Sequence, residues 1–386
     1  MTIPYARQTI SDSDIQAVTE VLKSIWLTQG PTIDKFEQAV ARYCGVKYAV
    51  AVCNATSALY IACSATGLGD GDLLWTSPNT FVASANCGLY CNAKVDFVDI
   101  NPKTYNLNVE KLEQKLYEAK KIGKLPKIVI PVHFAGQSCE MEQISELANE
   151  YGFTVIEDAS HAIGGLYQKD KVGSCNNSAI TIFSFHPVKI ITTGEGGMLL
   201  TNREDIYRKL ILLRSHGITR DSDLMEGESH GPWYYQQISL GFNFRMTDIH
   251  AALGLSQLQR IDEFIKRRRY LAERYNKLLA DLPVITPWEH PDCKSAYHIY
   301  VIRLKLDQIK KTHREVFEEL RREEITVNLH YIPVHTQPYY QKLGFKWGDF
   351  PDAEQYYRET ISLPMYFGLK DEEQNYVVSK LREILE

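Results

Sequence analysis

The chain has no stretch approaching the roughly 18 consecutive apolar residues of a membrane span, so no membrane partner is expected. Met1 to Ile10 hold no apolar core like that of a signal peptide, and a cytoplasmic protein is the expectation. Neither charge sign prevails. The 43 Lys and Arg stand against 48 Asp and Glu, a formal net charge of −5, so bulk electrostatics favour neither nucleic acid nor an anionic membrane surface. The eight cysteines (Cys44, Cys53, Cys63, Cys87, Cys91, Cys139, Cys175 and Cys293) include no CxxC pair. Most sit in apolar patterns, as Cys53 and Cys63 do, which predicts buried reduced thiols and no disulfide framework. No metal site is expected. Repeats and low-complexity segments are missing, as are Walker A and dinucleotide fingerprints.

What remains is a chain of 386 residues, 44% hydrophobic, long enough for one large domain and a smaller one. Helices are predicted over 11–23, with Ser11 or Asp12 as N-cap, and over 32–43. Alternation follows. Strands are predicted over 48–52, 73–76, 95–98, 128–132 and 154–156, with helices over 56–66, 81–91, 108–120 and 141–151 between them. Two more strands, over 179–185 and 197–201, precede a helix over 203–213. Continuous apolar strands in βα alternation predict an α/β fold: a mostly parallel sheet with helices on both faces. Residues 219–241 read as a long loop. One long helix is predicted from 247 to about 279, with Lys266-Arg267-Arg268-Arg269 on a solvated face. A strand over 298–304, a helix over 314–322, a strand over 326–329 and further helices make a C-terminal α+β unit. The expected division is a large domain over 1–260, N-terminal segment included, and a small one over 261–386.

Lys189 has the most telling setting. It follows Ser184-Phe185-His186-Pro187-Val188 and precedes the turn Thr193-Gly194-Glu195-Gly196-Gly197. Upstream, Asp158 ends the run Phe153-Thr154-Val155-Ile156-Glu157. A carboxylate at a strand's C-terminal end lies where open α/β sheets place ligands. A lysine after one strand and an aspartate ending another are what pyridoxal phosphate (PLP) chemistry needs. The amine forms the Schiff base, and the carboxylate holds the pyridine nitrogen protonated. Asn54-Ala55-Thr56-Ser57 opens a helix after a strand. Backbone N–H groups and the Thr56 hydroxyl can bind a phosphate there, although the same residues make an ordinary N-cap. Ser184 is a second phosphate candidate. Phe81, at a predicted helix start, can stack on a ring or fill core. His161 can reach the cofactor's 3-oxygen or bond to backbone. Gly241-Phe242-Asn243-Phe244-Arg245-Met246 closes the long loop, and its Asn243 and Arg245 are candidates for phosphate or carboxylate contact.

Together with Thr28-Gln29-Gly30, Glu157-Asp158-Ala159-Ser160-His161-Ala162, Ser215-His216-Gly217 and His330-Tyr331, these residues resemble the DegT/DnrJ/EryC1/StrS sugar aminotransferases over nearly the whole chain. The resemblance implies the type I PLP-dependent aminotransferase fold, with PLP as cofactor. It implies Lys189 as Schiff-base lysine and proton shuttle, Asp158 as pyridinium partner and Phe81 on the ring. Ala55, Thr56 and Ser184 would hold the phosphate. His161 would grip the 3-oxygen, where many relatives carry Gln. Asn243 would reach the cofactor phosphate of a neighbouring subunit, making a homodimer with shared sites. Tyr5, Ile25, Trp26, Leu27, Thr28, Leu329, His330 and Tyr331, with Ala55, Ser184 and Asn243, would line a sugar-nucleotide pocket.

Thr80-Phe81-Val82-Ala83-Ser84-Ala85-Asn86, Ser160-His161-Ala162 and Ser184-Phe185-His186 most resemble the branch of that family working in pseudaminic acid biosynthesis. This implies L-glutamate as amino donor and C4 of a UDP-4-keto-6-deoxy sugar as acceptor. Other nucleotide 4-keto sugars stay open, because pocket shape decides among them. A dehydratase of the same fold would carry His in place of Lys189. A non-catalytic binding protein would need neither Lys189 nor Asp158.

Overall fold

The computed structural model describes residues 2–386. A capping box opens the first helix: the Ser11 side chain accepts from the Asp14 N–H, and the Asp14 carboxylate accepts from the Ser11 N–H at 2.8 Å. Helix α1 then runs Asp12–Lys23. Pro31 in the first turn and Gly45 in the left-handed region (φ 72°) bound α2, Pro31–Cys44. Next come β1 (Tyr48–Val52), α3 (Ala55–Ala65), β2 (Leu73–Thr76), α4 (Ala83–Tyr90), β3 (Lys94–Phe97), α5 (Val109–Lys121), β4 (Ile128–Ile130), α6 (Met141–Tyr151) and β5 (Thr154–Asp158). They are followed by β6 (Ile180–Ser184), β7 (Gly197–Thr201) and α7 (Glu204–Arg214).

These strands form one seven-stranded sheet in the order β1-β7-β6-β5-β4-β2-β3. Strand β7 is antiparallel to both neighbours, and every other pairing is parallel. Alternate side chains leave by opposite faces. Val50, Val52, Ile180, Ile182 and Leu199 enter one core with Leu59 and Ile61 of α3 and Leu210 of α7. Ala49, Ala51, Phe183, Met198 and Leu200 enter another with Phe36 and Val40 of α2. Both faces are covered, which is why the strands read as continuous apolar runs. The parallel strands finish at one edge, so Asp158, Ser184 and the turns after β1 and β2 meet there.

The long helix predicted from 247 is two helices, α8 (Asp248–Leu258) and α9 (Ile261–Leu278). The break falls at Arg260, whose backbone leaves helical geometry (φ −110°, ψ 9°) and whose guanidinium donates to Asp14 at 2.5 Å. The basic run on α9 is a solvated face only at Lys266, which is exposed, while the three arginines are engaged. Arg268 is 2% exposed, and its Nη1 donates to the carbonyls of Tyr297, His298 and Met365. Arg267 binds the Leu369 carbonyl and Asp371, and Arg269 clamps Glu289. Carbonyls and carboxylates from the C-terminal segments replace water around these cations.

C-terminal to α9, the strands Val284–Ile285, Tyr300–Leu304 and Thr360–Leu363 form an antiparallel sheet. Residues of the helices His313–Arg322 and Asp371–Leu385 share its core. The strand expected over 326–329 is only Ile325–Thr326, and it pairs in parallel with Ile3–Pro4. Ile3 is buried in the same core. The loop over 219–241 is pinned at its ends, where Ile218–Thr219 pairs with Gln236–Gln237. All eight cysteines are free, six of them buried. Among the described residues, no helix is long and apolar enough to cross a membrane, and no group of three or more His, Cys, Asp or Glu could hold a metal ion.

Candidate active site

Asp158 closes β5 with its backbone fixed on both sides. Its N–H donates to the Pro131 carbonyl, and its carbonyl accepts from the His133 N–H, each at 3.0 Å. The carboxylate is buried. Ser84 Oγ donates to Oδ2 at 2.6 Å, and the Ser160 N–H donates to Oδ1 at 3.1 Å. Ser84 sits in the first turn of α4, and its hydroxyl also meets Thr80 Oγ1 at 2.8 Å.

The first turn of α3 supplies a different chemistry. Asn54 caps it by accepting from the Ser57 N–H at 2.8 Å. The N–H groups of Ala55 and Thr56 have no intrahelical acceptor and lie at the positive helix end. Gly197 makes this seat possible. A Cβ there would fall 2.6 Å from Asn54 C and 2.7 Å from Ala55 N, so only glycine lets the helix start rest on β7. Ser184, the last residue of β6, brings its hydroxyl to the same cavity.

That cavity is about 330 Å³. Tyr5, Ala55, Thr56, Phe81, Asp158, His161, Ser184, Lys189, His330 and Tyr331 all line it, so most of the residues named from the sequence come together. The Lys189 backbone N–H donates to the His186 carbonyl at 2.9 Å, fixing the turn after β6. Burial pushes the Lys189 amine down to about 8, against the opposing pull of the Asp158 charge. An amine so depressed is a usable nucleophile near neutral pH.

Phe81 lies two residues before α4, in the turn and not at the helix start predicted for it. Its ring is 58% exposed and stands 6.4 Å from that of Tyr331. His161 Nδ1 accepts from the Ala135 N–H at 3.3 Å, and its Nε2 is 3.0 Å from the Tyr331 hydroxyl. Burial, then the Lys189 and His330 charges, hold His161 well below the ordinary histidine range. Burial, followed by Lys189, pushes His330 down to about 3.

Other sequence candidates lie elsewhere. Ile25 is 90% exposed, Trp26 and Leu27 are exposed, and Thr28 bridges to Thr247. Asn243 is exposed and bridges to Ser215. Leu329 adjoins the cavity without lining it. Two of the polar residues at the site that the sequence reading assigns no role are Ser84 and His298. Ser84 had a weak signal, a hydroxyl one turn after Thr80 at a helix start. His298 had none. It arrives because the N–H groups of Ala296 and His298 donate to the carbonyls of Gly136 and Ala135, at 2.9 and 2.8 Å.

The residues present fit PLP. One cavity collects a buried carboxylate, a helix start with free N–H groups, a serine hydroxyl, an exposed aromatic face and a deprotonatable lysine. The glycine that seats the helix start is a further mark of that fit.

Residues 8–382 match the DegT/DnrJ/EryC1/StrS aminotransferase family. The chain is 40% identical over 386 residues to the spore coat polysaccharide biosynthesis protein SpsC of Bacillus subtilis, covering 99% of this chain and 97% of that protein. It is 37% identical over 392 residues to the UDP-4-amino-4,6-dideoxy-N-acetyl-beta-L-altrosamine transaminase of Campylobacter jejuni, covering 100% and 98%. It is 36% identical over 386 residues to the GDP-perosamine synthase of Caulobacter vibrioides, covering 99% and 98%. Among solved structures it is similar to Helicobacter pylori PseC, an aminotransferase involved in the biosynthesis of pseudoaminic acid, with TM-score 0.90, 31% identity and coverage of 100% and 99%. The PLP form of Streptococcus pneumoniae Spr1654 gives TM-score 0.88 at 26% identity, covering 100% and 98%.

Proposed function

The chain belongs to the DegT/DnrJ/EryC1/StrS aminotransferase family, and we propose that it transfers the amino group of L-glutamate to C4 of a UDP-4-keto-6-deoxy sugar. The substrate in this reading is UDP-2-acetamido-2,6-dideoxy-β-L-arabino-hex-4-ulose, and the product is UDP-4-amino-4,6-dideoxy-β-L-AltNAc, as in pseudaminic acid biosynthesis. The observation that carries the transaminase chemistry is the meeting of Lys189, Asp158 and the free N–H groups of Ala55 and Thr56 in one cavity. The likeness to the Campylobacter jejuni and Helicobacter pylori proteins supports the substrate.

PLP, when bound, supplies a conjugated electron sink that lets a C–H bond beside nitrogen break near neutral pH. Asp158 would hold the proton on the pyridine nitrogen, with its own two oxygens oriented by Ser84 and Ser160. The N–H groups of Ala55 and Thr56 and the hydroxyls of Thr56 and Ser184 would hold the phosphate. Phe81 would cover one ring face. Lys189 Nζ would carry the proton from the α-carbon of glutamate to the cofactor, and in the second half-reaction would carry it from the cofactor to C4 of the sugar. An amine titrating near 8 populates both forms needed for that exchange. Burial makes His161 and His330 hold a proton only weakly, so both are poor bases beside Lys189. Asn243 of a second copy would complete the phosphate site in a cytoplasmic homodimer.

The test is a product assay. Purified protein with L-glutamate is offered the UDP-L-arabino-hexulose, UDP-4-keto sugars of the GlcNAc series, UDP-4-keto-arabinose and GDP-4-keto-6-deoxymannose, and products are read by NMR and mass. Preferred amination of the first supports the proposal. The likeness to a GDP-perosamine synthase favours one rival in particular. Preferred amination of the GDP sugar would discard the pathway and keep the chemistry.

A further inference from the structure

His161 and Tyr331 fix each other's protons. The Ala135 N–H donates to His161 Nδ1 at 3.3 Å, so that nitrogen carries no proton. The ring is therefore neutral, with its proton on Nε2, the nitrogen 3.0 Å from the Tyr331 hydroxyl. Nε2–H donates, and the tyrosine oxygen accepts. The hydroxyl's own proton must point elsewhere, and among the described residues it meets no second partner. The Tyr331 ring stands in the cavity wall, 6.1 Å from that of His161 and 6.4 Å from that of Phe81. Burial, then the Asp158 charge, raises the phenol above its ordinary value, so it donates and does not act as a base.

The backbone that carries the hydroxyl is also held in place. The Tyr331 N–H donates to Asn79 Oδ1 at 3.2 Å, in the turn after β2. The neighbouring His330 carbonyl accepts from the Tyr356 hydroxyl at 2.7 Å, and its Nδ1 meets the Ser362 hydroxyl at 2.8 Å. A donor anchored at both ends of its segment loses little freedom when a ligand arrives.

We infer that Tyr331, and not His161, presents the proton that meets an oxygen of the bound ligand, with His161 as the positioning residue that turns the hydroxyl inward. The inference rests on the proposed reading of the cavity as a site for PLP and a keto sugar. The acceptor is the phenolic oxygen of the cofactor or an oxygen of the sugar. A hydroxyl that accepts from an imidazole is polarised and donates more strongly in return.

Two measurements test it. The first is ¹⁵N NMR of histidine-labelled, cofactor-free protein, with His161 assigned by its loss in His161→Gln. A proton on Nε2 alone is expected. A proton on Nδ1, or on both nitrogens, overturns the inference. The second is Tyr331→Phe in cofactor-loaded protein. If the cofactor's oxygen is the acceptor, its affinity falls and the pH midpoint of its visible band rises by about one unit or more, because the anionic oxygen loses its donor. If the sugar is the acceptor, band and affinity hold, the glutamate half-reaction holds, and kcat/KM for the sugar falls by about tenfold or more. In either case His161→Ala repeats the effect, and His161→Gln, whose amide can still donate, largely avoids it. No change in any of these quantities overturns the inference. Failure of the functional reading looks different: the unmutated protein would form no visible band, and the NMR result would still decide the proton's place.

Discussion

Ser84 and Asp158, one from the first turn of α4 and the other from the end of β5, share a 2.6 Å hydrogen bond. The serine gives its only proton to the carboxylate, and the Thr80 hydroxyl sits behind it. Ser84→Ala leaves a buried carboxylate oxygen without its donor. We expect a loss of about 1–3 kcal/mol in unfolding free energy and faster release of cofactor. Denaturant titration and dialysis measure the two. Unchanged values in both would mean that Asp158 is oriented by something else.

Gly197 is required by contact, and not by its backbone angle. Gly197→Ala drives a methyl into the backbone of Asn54 and Ala55. The start of α3 has to shift, and the dissociation constant for PLP should rise by about tenfold or more. Gly69→Ala, where a Cβ meets nothing within 4 Å, is the matched control and should bind as the unmutated protein does.

Lys189 carries a pH signature in the cofactor-free protein. Its amine is pushed down to about 8 from an ordinary 10.5 by burial. The folded state therefore disfavours the proton that the unfolded chain accepts. That penalty is full below pH 8 and fades as pH rises toward 10.5. Lys189→Met should accordingly be more stable than the unmutated protein at pH 7, by up to about 3 kcal/mol. The advantage should shrink steadily between pH 8 and pH 10.5. Urea titrations across that range check it, and a pH-independent difference would contradict the depressed amine.

Asn243 tests whether two copies share their sites. Asn243→Ala and Lys189→Ala chains should each be nearly inactive alone. Mixed at random, half of the dimers pair one of each, and each such dimer keeps one intact site of two. About a quarter of the unmutated activity should return. Absence of any recovery in a mixture verified to contain heterodimers would place Asn243 outside a shared site.

The parts of this molecule legible in its sequence are those set by local chemistry. The strands read over 48–52, 73–76 and 197–201 match β1, β2 and β7, because burial on both faces demands apolar runs there. That Lys189 and Asp158 line one cavity is legible because strand ends in a parallel sheet share one edge. What was not legible depends on distant partners. The break between α8 and α9 sits at Arg260, whose guanidinium meets Asp14 from far away in the chain. Arg268 looks like surface charge until the carbonyls of Tyr297, His298 and Met365 surround it. The strand Thr360–Leu363 is short and takes its partner from Tyr300–Leu304, far away in sequence. His298 enters the cavity only because its segment hydrogen-bonds to Ala135 and Gly136. No spacing rule connects any of these.

The most direct test of the account is to load the protein with PLP, reduce it with borohydride and map the modified peptide by mass. The account predicts a visible band before reduction, its bleaching by L-glutamate, and a single pyridoxyl addition on Lys189 after reduction. A modification on another lysine, or none in protein saturated with cofactor, would contradict it.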